Sequence, residues 1–253
     1  MSAPEDDPLT IQPLHYKLTF VFNKGFTNLY MGHVSMHAKM LHQADYFDIH
    51  FAQQELRHIV GKVVIRAEDG GEYYEKSRVY NPEYQTYRIK MNKSMDIEAH
   101  LFIEMDFQGI IGEASLDGIF FGNSASEGAD GRLMVVTRCK YDRARKVFPC
   151  VDLPYFRADF DVKVQTSTDV GDVWTNGNAS ALGRYSDDGD QRTWEFQRSP
   201  LMPIHGFALC LSRRWQYEQR NVSFFDFNLE FRLPTRPAFR IFIAELSLEL
   251  RKK

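Results

Sequence analysis

Histidine is the side chain that most often binds a metal or moves a proton near neutral pH, and this chain has eight: His15, His33, His37, His42, His50, His58, His100 and His205. His33 and His37 are four apart, the spacing at which one helix face presents two imidazoles to zinc. No Glu follows His33, so H-E-x-x-H is absent, with its general base. The pair also lies in Tyr30-Met-Gly-His-Val-Ser-Met-His-Ala-Lys39, which alternates as a strand does. Four residues of strand span about 13 Å, too far for one ion. These histidines are expected on a strand surface or in the core, and the sequence names no metal ligand. The cysteines are Cys139, Cys150 and Cys210. An odd count without repeated spacing makes no disulfide framework, so reduced thiols are expected. No glycine-rich phosphate loop, Ser-His-Asp pattern or CxxC pair is present, and no catalytic residue is assigned.

The elements that must carry these residues are strands. Alternation recurs over residues 16–22, 30–39, 46–51, 59–65, 84–91, 100–107, 133–137, 160–165 and 192–197. Asp69-Gly-Gly71 is a turn signal, and residues 123–131 have loop composition. Evenly spaced short strands predict an all-β, mostly antiparallel domain over residues 14–234, behind a proline-rich acidic lead-in over residues 1–13. Phe225 to Leu233 alternates strictly and stops at Pro234. Beyond it, Thr235 and Pro237 suit a helix start, and Phe239, Phe242, Ile243, Leu246 and Leu250 share one helical face. A short C-terminal helix is expected over 235–253, although Leu246 to Arg251 also alternates like a strand. If that face is exposed, it predicts homo-oligomerisation or partner binding through Phe239, Phe242, Ile243 and Leu246.

Composition excludes several classes. The formal net charge is -3 over 253 residues, with acids and bases mixed. That gives no electrostatic case for nucleic acid or a membrane surface. No stretch approaches the roughly 18 apolar residues of a helical span, and the acidic start lacks the features of a signal peptide. A cytoplasmic location is the expectation.

The run Thr137-Arg-Cys-Lys-Tyr-Asp-Arg-Ala-Arg-Lys-Val-Phe-Pro-Cys-Val-Asp-Leu-Pro154, followed by Arg157-Ala-Asp-Phe160, resembles a signature of the zinc aminopeptidases related to aminopeptidase N, puromycin-sensitive aminopeptidase and leukotriene hydrolase. Other pieces follow in family order: Pro13-Leu-His-Tyr-Lys-Leu18, Tyr30-Met-Gly-His-Val34, Asp117-Gly-Ile-Phe120, Trp174-Thr-Asn-Gly-Asn178, Trp194 to Met202, His205 to Leu209 and Leu229 to Pro234. The resemblance covers roughly residues 12–253. It implies the family's N-terminal domain, a saddle-shaped all-β domain of packed antiparallel sheets. In that family, zinc and catalysis belong to the next domain, so no cofactor is expected in this chain. The exopeptidase motif Gly-x-Met-Glu-Asn is absent as well.

Arg145, Phe148, Pro149, Cys150, Asp152 and Pro154 match the signature, and their expected role is packing and a turn. The resemblance implies one substrate-facing position, a Glu or Gln that accepts a hydrogen bond from the substrate's α-ammonium. Lys140 stands there, and Arg138 stands at the preceding Gln. A lysine ammonium has three donors and no acceptor, so it repels an α-ammonium. Leu153 replaces a Glu read as structural. Three readings follow. The first is a non-catalytic aminopeptidase-like module that binds a protein or peptide. The second is a fragment or short isoform of a zinc aminopeptidase. The third is an unrelated β-sandwich binding domain.

Overall fold

The computed structural model describes residues 9–113, 117–122, 134–180 and 183–213, with the backbone of 217–224 and 227–234. Alternating apolar residues produce long strands first: β1 (Ile11–Phe22), β2 (Leu29–Met40), β3 (Ala44–His50) and β4 (His58–Ala67). Next come β5 (Glu72–Asn81), β6 (Thr86–Met95), β7 (His100–Ile110), β8 (Gly118–Phe121) and β9 (Met134–Arg138). A 3-10 turn at Ala144–Lys146 precedes β10 (Arg157–Ser167), β11 (Asp172–Thr175), β12 (Arg184–Tyr185) and β13 (Gln191–Glu195). The chain continues through β14 (Met202–Pro203), β15 (Leu209–Ser212), β16 (Tyr217–Phe224) and β17 (Phe227–Pro234).

The large sheet has the order β12-β13-β10-β1-β2-β7-β4-β5-β6-β3, with β14 beside β10. A second sheet has the order β11-β15-β9-β8, and β16 pairs with β17. The β1–β10 ladder is parallel and the other ladders among the described residues are antiparallel. A parallel neighbour cannot be reached by a hairpin. The chain therefore builds β2 to β9 before β10 returns to lie against β1. Residues 139–156, most of the signature, are the final stretch of that return.

The core lies beneath the inward faces of β1, β2 and β7. Tyr16, Leu18, Phe20 and Phe22 alternate inward on β1, and Leu101, Ile103, Met105 and Phe107 do so on β7. Tyr16 stacks on Phe160 of β10 at 5.3 Å, and Phe20 meets Phe107 edge-on at 6.1 Å. Phe148 of the signature joins this cluster 6.4 Å from Phe20 and 5.0 Å from Phe207. Each buried side chain of this kind contributes about 1.5–3 kcal/mol through removal from water.

Two glycines make room for the rings. In the β2–β7 register Gly32 faces Phe107, and Gly109 faces Tyr30. A Cβ on Gly32 would lie 2.2 Å from the Phe107 ring, and one on Gly109 2.1 Å from the Tyr30 ring. Each aromatic ring thus covers the bare backbone opposite it, the close approach that a strand glycine permits.

The all-β expectation holds, with different edges. β1 begins at Ile11, fully buried, inside the stretch expected as lead-in. β5 was not expected, because its residues alternate only between half-buried and exposed. β8, β11, β12, β14 and β15 are too short for periodicity to register. The loop over 123–131 and the helix over 235–253, with Phe239, Phe242, Ile243 and Leu246, lie outside the described residues.

Gly109→Val forces the Tyr30 ring off its seat. Overpacking of this kind costs about 1–3 kcal/mol, and the urea midpoint should fall accordingly. An unchanged midpoint would contradict the ring-over-glycine packing.

Candidate functional site

The signature begins on β9. Leu209 N–H of β15 donates to Thr137 Oγ1 at 2.7 Å, and the hydroxyl donates back to the Leu209 carbonyl at 3.2 Å. The chain then turns through the 3-10 segment and is tied to the end of β3. His50 N–H donates to Cys150 O at 2.8 Å, and Cys150 N–H donates to His50 O at 3.0 Å.

Asp152 and Arg145 form the centre of this turn. The Asp152 side chain has no exposed surface and that of Arg145 is 11% exposed. Asp152 Oδ2 accepts from Arg145 Nε at 3.0 Å and from the Arg145 backbone N–H at 3.1 Å. The guanidinium also donates to Asp152 O and to Tyr84 O, each at 3.1 Å. Asp152 Oδ1 has no hydrogen-bond partner among the described residues. Burial raises the Asp152 pKa, and the hydrogen bonds and charge of Arg145 oppose that shift without cancelling it.

Three buried groups fasten the turn from outside. Tyr16 accepts from Val151 N–H at 3.0 Å, and Tyr30 donates to the Val147 carbonyl. His50 Nδ1 accepts from Asp152 N–H at 3.2 Å. That bond needs the Nδ1 lone pair, so the ring is neutral with its proton on Nε2. Burial first, then the Arg145 charge, lowers the His50 pKa to about 4.

This arrangement is poor in chemistry. Cys139, Cys150 and Cys210 are buried, and burial raises each thiol well above its ordinary range. A protonated, enclosed thiol is no nucleophile. Phe148 and Pro149 are packed inside the turn, while Pro154 begins an exposed one. The other motif pieces act likewise. Asn176 takes Ala208 N–H at 2.7 Å and donates to Gly206 O at 2.9 Å. Ser199 Oγ accepts from Phe160 N–H at 3.0 Å.

Polar surface lies beside the turn. Arg138 ends β9 with its side chain exposed, Cys139 turns inward, and Lys140 is half-buried in the turn that follows. Asp117 lies 3.4 Å from Arg143 and 3.7 Å from Lys146, while Tyr141 is 84% exposed.

His33 and His37 both sit on β2 but have different partners: Asp106 at 2.8 Å and His100 at 2.7 Å. The donor set of the family's catalytic zinc is therefore not met by this pair. The structure does bring His37, Glu68 and His100 within 4.8 Å of one another. Sequence reasoning missed this grouping, because it depends on the pairing of β2 with β7 and of β7 with β4.

Removing one partner from a buried ion pair costs about 3–5 kcal/mol, so Asp152→Ala should lose that much in urea denaturation. A loss below about 1 kcal/mol, the range of exposed pairs, would contradict the buried role. His50 gives a pH signature. Its folded pKa lies below the unfolded 6.5, so the unfolded chain binds the extra proton and stability falls as pH drops from 6.5 toward 4. The full effect is on the order of 3 kcal/mol. Asp152 has the opposite sign, because its raised pKa makes ionisation oppose folding as pH rises. The difference between the parent chain and His50→Gln isolates the histidine. A parallel pair of stability-pH curves would refute it.

With this geometry in place, the similarities to known proteins become specific. The family model of the Peptidase M1 N-terminal domain matches residues 12–204. Thyrotropin-releasing hormone-degrading ectoenzyme from Rattus norvegicus is 28% identical over 205 residues, covering 79% of this chain and 18% of the relative. Membrane alanyl aminopeptidase from Heliothis virescens is 25% identical over 226 residues, covering 84% and 21%. Endoplasmic reticulum aminopeptidase 2 from Homo sapiens is 22% identical over 163 residues, covering 62% and 16%. The chain spans less than a quarter of the length of these curated relatives. An all-β chain whose signature is built into the turn that returns to β1 belongs to the family of the Peptidase M1 N-terminal domain.

Proposed function

We propose that this chain acts as a binding module of the aminopeptidase type, engaging a protein or peptide and catalysing no peptide hydrolysis itself. The observation that carries this reading is Lys140, at the position where the family resemblance implies an acceptor for a substrate amine. An ammonium donates three hydrogen bonds and accepts none. With Arg138 two residues away and Cys139 turned inward between them, the surface suits carboxylates better than amines. Its partner would be an acidic peptide segment. The sequence offers neither H-E-x-x-H nor Gly-x-Met-Glu-Asn to hold the family's zinc or clamp an amine.

A second reading takes the chain as part of a working zinc aminopeptidase in the cytoplasm. The short share of each aminopeptidase relative that it matches favours this reading. The two differ in the coding sequence downstream of Lys253. An in-frame H-E-x-x-H there would overturn the non-catalytic reading and support the second.

The purified chain, incubated with aminoacyl fluorogenic substrates and zinc, should show no turnover. Activity abolished by a chelator would overturn the proposal. Lys140→Glu should weaken binding of a short acidic peptide about fivefold, the equivalent of about 1 kcal/mol for an exposed pair. Unchanged affinity would remove this surface from the account.

A further inference from the structure

We propose that His37, Glu68 and His100 form a binding site for a divalent metal of the zinc class on the outward face of the large sheet. The three residues come from three adjacent strands. His37 lies on β2, His100 begins β7, and Glu68 directly follows β4. The β2–β7 register sets His37 opposite Phe102 and Lys39 opposite His100, so the two imidazoles are diagonal neighbours on one face. Glu68 is tied to the same point, because its N–H donates to His100 O at 3.2 Å. One donor atom from each residue lies within 4.8 Å of the other two.

The local setting suits a metal better than a chance contact does. His37 Nε2 and His100 Nδ1 are 2.7 Å apart. Zinc–nitrogen bonds of about 2.0–2.1 Å in a tetrahedron hold two nitrogens about 3.3 Å apart, so the rings need only a small separation. Both facing nitrogens must then offer lone pairs. The ring that donates in the pair shifts its proton to its far nitrogen, so that His37 Nδ1 and His100 Nε2 carry the protons and none need leave the neutral pair. The His37 ring is already oriented by stacking on Phe102 at 4.7 Å and 14°. Burial first, then the neighbouring His100, lowers the His37 pKa and keeps its ring in the neutral form that ligates.

The basic side chains nearest the cluster are themselves engaged by carboxylates. Lys39 is paired with Glu98 at 2.9 Å. His15, opposite His37 in the β1–β2 register, is engaged by Asp159 and by Asp161 at 3.3 Å. Two imidazoles and one carboxylate select zinc and its late first-row neighbours over magnesium and calcium, which take oxygen ligands. Three protein ligands leave one position for water, and three strands tied through one ion would be stiffened at the β2–β7–β4 seam.

Zinc chloride titrated calorimetrically into the chelator-treated chain should show one saturable site, and the melting temperature should rise with zinc but not with magnesium. His37→Gln and His100→Gln should each weaken zinc binding at least tenfold and Glu68→Gln less, while His33→Gln on the same strand leaves it unchanged. No saturable binding, or binding that both histidine substitutions leave intact, would overturn the site. If the substituted chains do not fold, histidine-ring NMR on the unsubstituted chain decides. Zinc must shift the His37 and His100 signals and spare His33, and shifts confined to other histidines would overturn the proposal.

Discussion

A carboxylate without exposed surface is stable in a protein only when something answers its charge. For Asp152 that answer is Arg145, seven residues earlier in the chain and bonded to it through both backbone and side chain. Burial still outweighs these bonds in the Asp152 pKa, so the pair is not a net source of stability of the kind the aromatic core provides. Its effect is geometric. Closing 145 onto 152 curls the chain, and in that curl Val147, Val151 and Asp152 meet Tyr30, Tyr16 and His50.

The rest of the fold inherits this constraint. The turn lies between β9 in one sheet and β10 in the other, and β10 must arrive parallel to β1. Tyr16 and Tyr30 belong to β1 and β2, so the hydroxyls that hold the turn come from the strands it is returning to. Tyr30 reaches Val147 because Gly109 leaves its ring space. The signature, whose matching residues are expected to pack and form a turn, joins β9 of one sheet to β10 of the other.

Legibility in the sequence followed the range of the interactions. Long alternating stretches such as Tyr30 to Lys39 and His100 to Phe107 were readable, because one face of each packs on the core. β5 hid behind its charged residues, and the bridge-length strands carried too few residues to show a period. The packing role of Arg145, Phe148 and Asp152 was expected from the family resemblance, but their partners were not. Tyr16 and His50 lie far away in sequence, and nothing local reveals that they hold the turn. The grouping of His37 with Glu68 and His100 was invisible for the same reason, since strand order is a property of the whole sheet.

Native-state hydrogen exchange tests the central claim, that the signature is a fold-holding turn, most directly. The amides of Arg145, Cys150, Val151 and Asp152 each donate to a named acceptor within or beside it. If the turn joins the sheets, these four amides exchange only through global unfolding, with one common free energy that falls with urea as the whole molecule's does. Exchange by local opening, at free energies well below the global value and insensitive to urea, would show the turn to be a surface feature and contradict the account.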